Sequence, residues 1–145
     1  MYTHLLIATD GSSLADAAVA QGLALAKALK AKVTAVTVTE PLPSILVGEA
    51  TSAYPVEHYV SAARANAREV LARVTAAASG QGVSCDTVHV EDHFPAEGII
   101  ETAQARKCDL IVMASHGRRG LVKLFLGSQA TRVLSASPVP VLICK

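Results

Sequence analysis

Aromatic residues are scarce in this chain, only 3% of 145 residues, with no tryptophan at all. That scarcity argues against a surface that stacks the bases of single-stranded nucleic acid. Charge of one sign is also missing. Thirteen Lys and Arg face twelve Asp and Glu, for a formal net charge of +1, so no global pull toward nucleic acid or an anionic membrane is expected. No apolar run reaches the roughly 18 residues that a membrane-crossing helix needs. Cysteines number three, Cys85, Cys108 and Cys144. Their odd count and wide spacing exclude a disulfide framework and the close pairs of zinc or redox motifs. They read as small buried hydrophobes in a reducing compartment. The start, Met1-Tyr2-Thr3-His4, shows neither a basic n-region nor an apolar h-region, and the expected address is the cytoplasm.

Hydrophobic residues, by contrast, make up 51% of the chain and charged ones 17%, a composition that excludes disorder. The length suits one domain with a proper core. Strand and helix patterns alternate throughout. Leu5 to Ala8, Val33 to Val38, Val83 to Val90, Leu110 to Ala114 and Val139 to Cys144 read as strands. After Asp10-Gly11 a helix opens, capped by Ser12 or Ser13, with Ala15, Ala18, Val19, Gly22, Ala26 and Leu29 at helical spacing. A long helix carries Val56, Tyr59, Val60, Ala63, Ala67, Val70, Leu71, Val74 and Ala78, ending near Gly80 and Gly82. Pro95 opens a third, and a fourth runs from about Ser128 to Ala136.

Such alternation predicts a single-domain α/β fold, an open five-stranded parallel sheet with helices on both faces. The third strand is polar and the fifth carries Pro140, so both belong at edges. With right-handed crossovers this favours the order 3-2-1-4-5. The order then reverses between strands one and four, where ligands bind beyond the carboxyl ends. Asp10 follows strand one, and a glycine-spaced loop follows strand four.

That loop, Met113-Ala114-Ser115-His116-Gly117-Arg118-Arg119-Gly120, leads through Lys123 to Gly127-Ser128. A strand, a cationic loop and a helix N-terminus are the parts of a phosphate cradle. There is no G-x-x-x-x-G-K-[ST] and no G-x-G-x-x-G after strand one, so the usual nucleotide fingerprints are missing. Gly117-Arg118-Arg119-Gly120 matches the G-x-x-G of KH domains, but it follows a strand in an α/β alternation, the wrong setting. G-x-S-x-G is absent too, so Gly11-Ser12-Ser13 is no nucleophile elbow. His4, His58, His89 and His93 show no metal spacing.

What remains is Gly117, nine residues, then Gly127-Ser128. This resembles the universal stress protein family, whose nucleotide-binding members carry G-x-x-G-x(9)-G-[ST]. Ile7-Ala8-Thr9-Asp10-Gly11-Ser12 and Ser137-Pro138-Val139-Pro140-Val141-Leu142 extend the resemblance over essentially the whole chain. It implies a site for ATP, alternatively AMP. Asp10 and Val38 would lie at the adenosine end, and Met113 beside sugar and base. Ala114, Gly117, Gly127 and Ser128 would line ribose and phosphates, and Ala8, Thr9, His116, Arg118 and Gln129 would complete the nucleotide-binding residues. Asp10 would hold Mg²⁺ by way of the bound nucleotide. The departure is Ala114, where the pattern has its first glycine.

Each residue also has a plainer reading. Asp10 can make an Asx-turn, Val38 and Met113 can be core, and Ser128 can be an ordinary helix start. Arg118, Arg119 and Lys123 can be a solvated loop face. No catalytic base or acid is evident. The expected function is therefore nucleotide-dependent regulation in a stress response rather than catalysis. The rival readings are slow ATP hydrolysis or nucleotide transfer, and a nucleotide-free dimer module. The resemblance further implies a homodimer through the final strand, with neither nucleic acid nor membrane as partner.

Overall fold

The computed structural model describes residues 1–42, 54–117 and 125–145. The elements are β1 (His4–Ala8), α1 (Ser13–Leu29), β2 (Lys32–Val38), α2 (Tyr54–Gln81), β3 (Cys85–Val90), α3 (Pro95–Ala105), β4 (Leu110–Ala114), α4 (Ser128–Ala136) and β5 (Val141–Cys144). The five strands form one sheet in the order β3-β2-β1-β4-β5, and every pairing is parallel. This is the architecture that the sequence predicts, including both edges.

The central strands are buried on both faces, which is why β4, and β1 from Leu5 on, are continuously apolar rather than alternating. Leu5, Ile7, Val33, Ala35, Leu110 and Val112 meet α1 and α2 on one side. Leu6, Val36, Ile111 and Met113 meet α3 and α4 on the other. Leu5, Leu6 and Ile7 are wholly buried, each stabilising the fold by about 1.5–3 kcal/mol.

Only β4 begins where expected: β1 and β2 each start one residue earlier, at His4 and Lys32, and β3 and β5 each start two residues later, for local reasons. β3 begins at Cys85 because Val83 belongs to the end of α2. Gly82 adopts φ +71°, and the Val83 and Gly82 amides donate back to the Ala78 and Ser79 carbonyls, a left-handed helix stop that leaves Val83 buried. β5 begins at Val141, so Pro140 lies just outside the strand. Its carbonyl still accepts the Ile111 amide at 2.9 Å, the one backbone bond a proline can offer. In α1 the buried stripe also includes Leu23, while Leu29, at the last turn, is only half-buried.

Candidate functional site

β1 runs straight into a tight turn. The Thr9 amide still donates to Val36, at 3.0 Å. Thr9 Oγ1 then accepts the Gly11 amide at 3.1 Å, and Asp10 Oδ1 accepts the Ser12 amide at 2.9 Å. Gly11 takes φ +79°, a conformation costly for any other residue. Ser12 is the cap of α1, its hydroxyl accepting the Ala15 amide. Asp10 does make the Asx-turn that its plainer reading offers, and the turn aims its second oxygen toward Gly117. A β-carbon added to Gly117 would sit 2.9 Å from Asp10 Oδ2. The loops after β1 and β4 therefore touch at the switch point of the sheet.

β4 passes into the second half of the site through Ser115. Its amide donates to Cys144, and its carbonyl accepts the Gly127 amide, both at 2.8 Å. Its hydroxyl lies 3.1 Å from His116 Nδ1. Gly127 is the N-cap of α4 at φ −61°, so no left-handed backbone calls for glycine here. Space does: a β-carbon would lie 2.9 Å from the Ser115 carbonyl oxygen and 3.3 Å from His116 Cα. Having no side chain, Gly127 leaves the start of α4 without a side-chain cap, and Ser128, the first helical residue, is exposed. Amides at such a helix start favour anions.

Val38 ends β2 opposite Val90. It is half-buried and pressed against α3, where a β-carbon on Gly98 would come within 3.0 Å of it. Met113 is core beneath α3 and α4. Ala114 is 8% exposed and belongs to the opposite core, under α1 and α2. It sits in β4 and is not among the positive-φ residues. The methyl that departs from the family pattern thus needs no special backbone and packs in the interior.

Asp10, Gly117, His116 and Gly127 come together, with Ala8 and Thr9 behind them and Ser128 at the rim. Gln129 has another partner: its side-chain carbonyl accepts the Ala96 amide at 3.2 Å, capping α3. Arg118 lies outside the described residues, as do Arg119 and Lys123. Three contributors carry no sequence signal of a role: Gly98 beneath Val38, Ser115 as the tie between β5 and α4, and Arg73. Arg73, from α2, donates to the Gly11 carbonyl at 3.2 Å and so braces the Asp10 turn.

Among the described residues no group of three His, Cys, Asp or Glu could hold a metal. All three cysteines are free. Burial pushes the Cys108 thiol up to about 11 and raises Cys85 and Cys144 as well, so none is a poised thiolate. Two open grooves, of about 470 and 550 Å³, run along α2, away from the switch point.

These features define a doubly wound α/β protein whose β1 and β4 loops meet over the sheet. The chain belongs to the universal stress protein family, whose family model matches residues 1–145. A universal stress protein of Thermus aquaticus is 33% identical over 145 residues, covering 100% of both chains. The universal stress protein UspA of Lactobacillus plantarum shares the fold with a TM-score of 0.85 at 22% identity, covering 99% of this chain and 98% of its own. A universal stress protein solved in complex with cAMP superposes with a TM-score of 0.71 at 23% identity, covering 99% of this chain and 97% of that one.

Proposed function

We propose that this protein binds an adenine nucleotide, ATP or AMP, at the β1–β4 switch point and acts as a nucleotide-dependent regulator. The observation that carries the reading is the contact of the two loops. Gly117 approaches the Asp10 carboxylate so closely that an added side chain would have to displace it, and Gly127 approaches main-chain atoms of Ser115 and His116 too closely for a side chain without a shift of the backbone. Two loops held this tightly leave main-chain groups and one carboxylate, rather than bulky side chains, facing a ligand. Asp10 would meet the nucleoside end, with Val38 beside the base. Gly127 and Ser128, with the start of α4, would take the phosphates. Arg118 would add charge there. The interior placement of the Ala114 methyl supports binding despite the altered motif. A solved protein of this fold holds cAMP, which favours the same ligand class here. Mg²⁺ would arrive on the phosphates and neutralise their charge, and Asp10 is the residue that would hold it. A regulator needs only different affinities for the nucleotide in two states.

Titration with Mg-ATP during thermal unfolding tests this. Ligand at about 100 times its Kd adds roughly 2.7 kcal/mol, which raises Tm by about 5–10 °C in a domain of this size. No shift at millimolar nucleotide refutes the reading.

The same protein is read as a homodimer through β5. Among the described residues that strand pairs only with β4, and Leu142 is 39% exposed on it. An unpaired apolar edge invites pairing with a second copy across a two-fold axis. Sedimentation showing a monomer at micromolar concentration would refute the dimer.

A further inference from the structure

The outer edge of β3 does something different from β5. The carbonyls of Ser84 and Val90 accept the amides of Val33 in β2 and of Thr39 just beyond its end. Because a strand has a period of two, the even positions from 84 to 90 face β2, and the amides and carbonyls of Cys85, Thr87 and His89 face outward. No strand pairs with that edge among the described residues. Within Cys85–Val90 the only charge is Asp86, and there is no lysine or proline of the kind that protects edges.

Beside this edge lies a groove of about 470 Å³, open along its length. Thr87, His89 and Glu91 of the β3 side line it, together with Arg64, Arg68 and Thr75 of α2. Arg64 is committed to Glu91, through Nε at 2.5 Å and Nη2 at 3.3 Å. Arg68 makes none of the ion pairs found among the described residues. His89 is held by Thr39 Oγ1 at 2.7 Å. Among the described residues the groove therefore presents one cation outside any ion pair, Arg68, beside a strand edge that no other strand covers, flanked by hydroxyls. Asp86, being an even position, points to the other face of the sheet.

We propose that this edge takes an extended acidic segment of a partner protein as an added strand. The outward amides and carbonyls of Thr87 and His89 supply the main-chain bonds, and Arg68 selects a carboxylate on the groove side, as in other strand-and-helix grooves. Asp86 disfavours a carboxylate on the opposite side, so the segment alternates acidic and neutral residues. This site is separate from the switch point, and its test does not depend on nucleotide.

The probe is an acetylated, amidated hexapeptide alternating valine with glutamate, and the control alternates valine with lysine. Amide chemical shifts are followed in the intact, isotopically labelled protein. Expected are changes centred on Thr87 and His89 with the glutamate peptide, and slower hydrogen exchange at those two amides. Arg68→Glu, an exposed change that leaves the core untouched, weakens that peptide about tenfold and improves the lysine peptide. Thr87→Pro removes one outward donor and weakens both. Equal binding of the two peptides to the parent protein overturns the proposal, as does an absence of β3 shifts at millimolar peptide. Self-association that Thr87→Pro abolishes also overturns it, since the edge would then belong to a second copy.

Discussion

Adding a single methyl group at Gly127 tests whether backbone proximity holds the candidate site together. In Gly127→Ala the new carbon meets the Ser115 carbonyl oxygen at 2.9 Å and His116 Cα at 3.3 Å. Both are main-chain atoms, and the same carbonyl accepts the Gly127 amide at 2.8 Å. Relief requires moving α4 away from the β4 loop, since no side chain can rotate out of the way. Overpacking of this kind costs about 1–3 kcal/mol, and alanine is a poorer N-cap than glycine by roughly another 0.5–1 kcal/mol, which about cancels the 0.4–1 kcal/mol gained from a stiffer unfolded chain. The expected fall in Tm is about 5–12 °C. Gly117→Ala is the contrast. Its neighbour is Asp10 Oδ2, a side-chain atom that can turn once Oδ1 releases the Ser12 amide. Losing that charge-assisted bond costs about 1.5 kcal/mol or more, offset by about 0.4–1 kcal/mol from a stiffer unfolded chain. Calorimetry should therefore rank Gly127→Ala well below Gly117→Ala in Tm, with Mg-ATP affinity reduced in both. A Gly127→Ala protein melting within about 1 °C of the parent, or the reverse ranking, refutes the argument.

Other groups give further tests. Burial, then Lys32, lower the His4 pKa from 6.5, with Asp109 and Asp86 opposing; the imidazole is bonded to Thr34 Oγ1 at 2.8 Å. The unfolded chain then binds the proton first, so stability present above pH 6.5 is lost as pH falls below it. Urea midpoints of the parent should decline over that range more steeply than those of His4→Gln. Gln129→Ala removes the acceptor of the Ala96 amide and should cost about 0.5–2 kcal/mol, as loss of a cap does, read by chemical unfolding. Ala114→Gly restores the family's first glycine but removes a buried methyl from a strand. It should cost about 1 kcal/mol and leave nucleotide affinity unchanged; a rise in affinity would show that the methyl obstructs the ligand.

The strand order was legible because the two edge strands carry their position in their composition. Cys85–Val90 mixes cysteine, aspartate, threonine and histidine where Leu5–Ala8 of β1 and all of β4 are apolar, and Pro140 marks the start of the other edge. Where the reading slipped, an apolar residue served a different purpose. Val83 packs as part of a helix stop, and its side chain looks the same in sequence as that of a strand residue. The meeting of Asp10 with Gly117 was legible too, but only through topology. Ordering β1 beside β4 brings their carboxyl ends together, and no local pattern relates residues so far apart in the chain.

Contacts that depend on tertiary reach left no such trace. Arg73 finds the Gly11 carbonyl from 62 residues away, and Gln129 finds the Ala96 amide from 33. Both are polar residues on helix surfaces, where the sequence pattern says only that they are outside the core. The glycines of the loop motif separate along the same line. A motif records which residue types occur at a spacing, not what each α-carbon touches. At Gly117 and Gly127 the neighbours are loop atoms across the site. At Ala114 they are core residues under α1 and α2. Only the first kind of position ties the identity of the residue to the separation of the two loops. An alanine in the motif is therefore compatible with the site at position 114, whereas the same methyl group at 127 must open it.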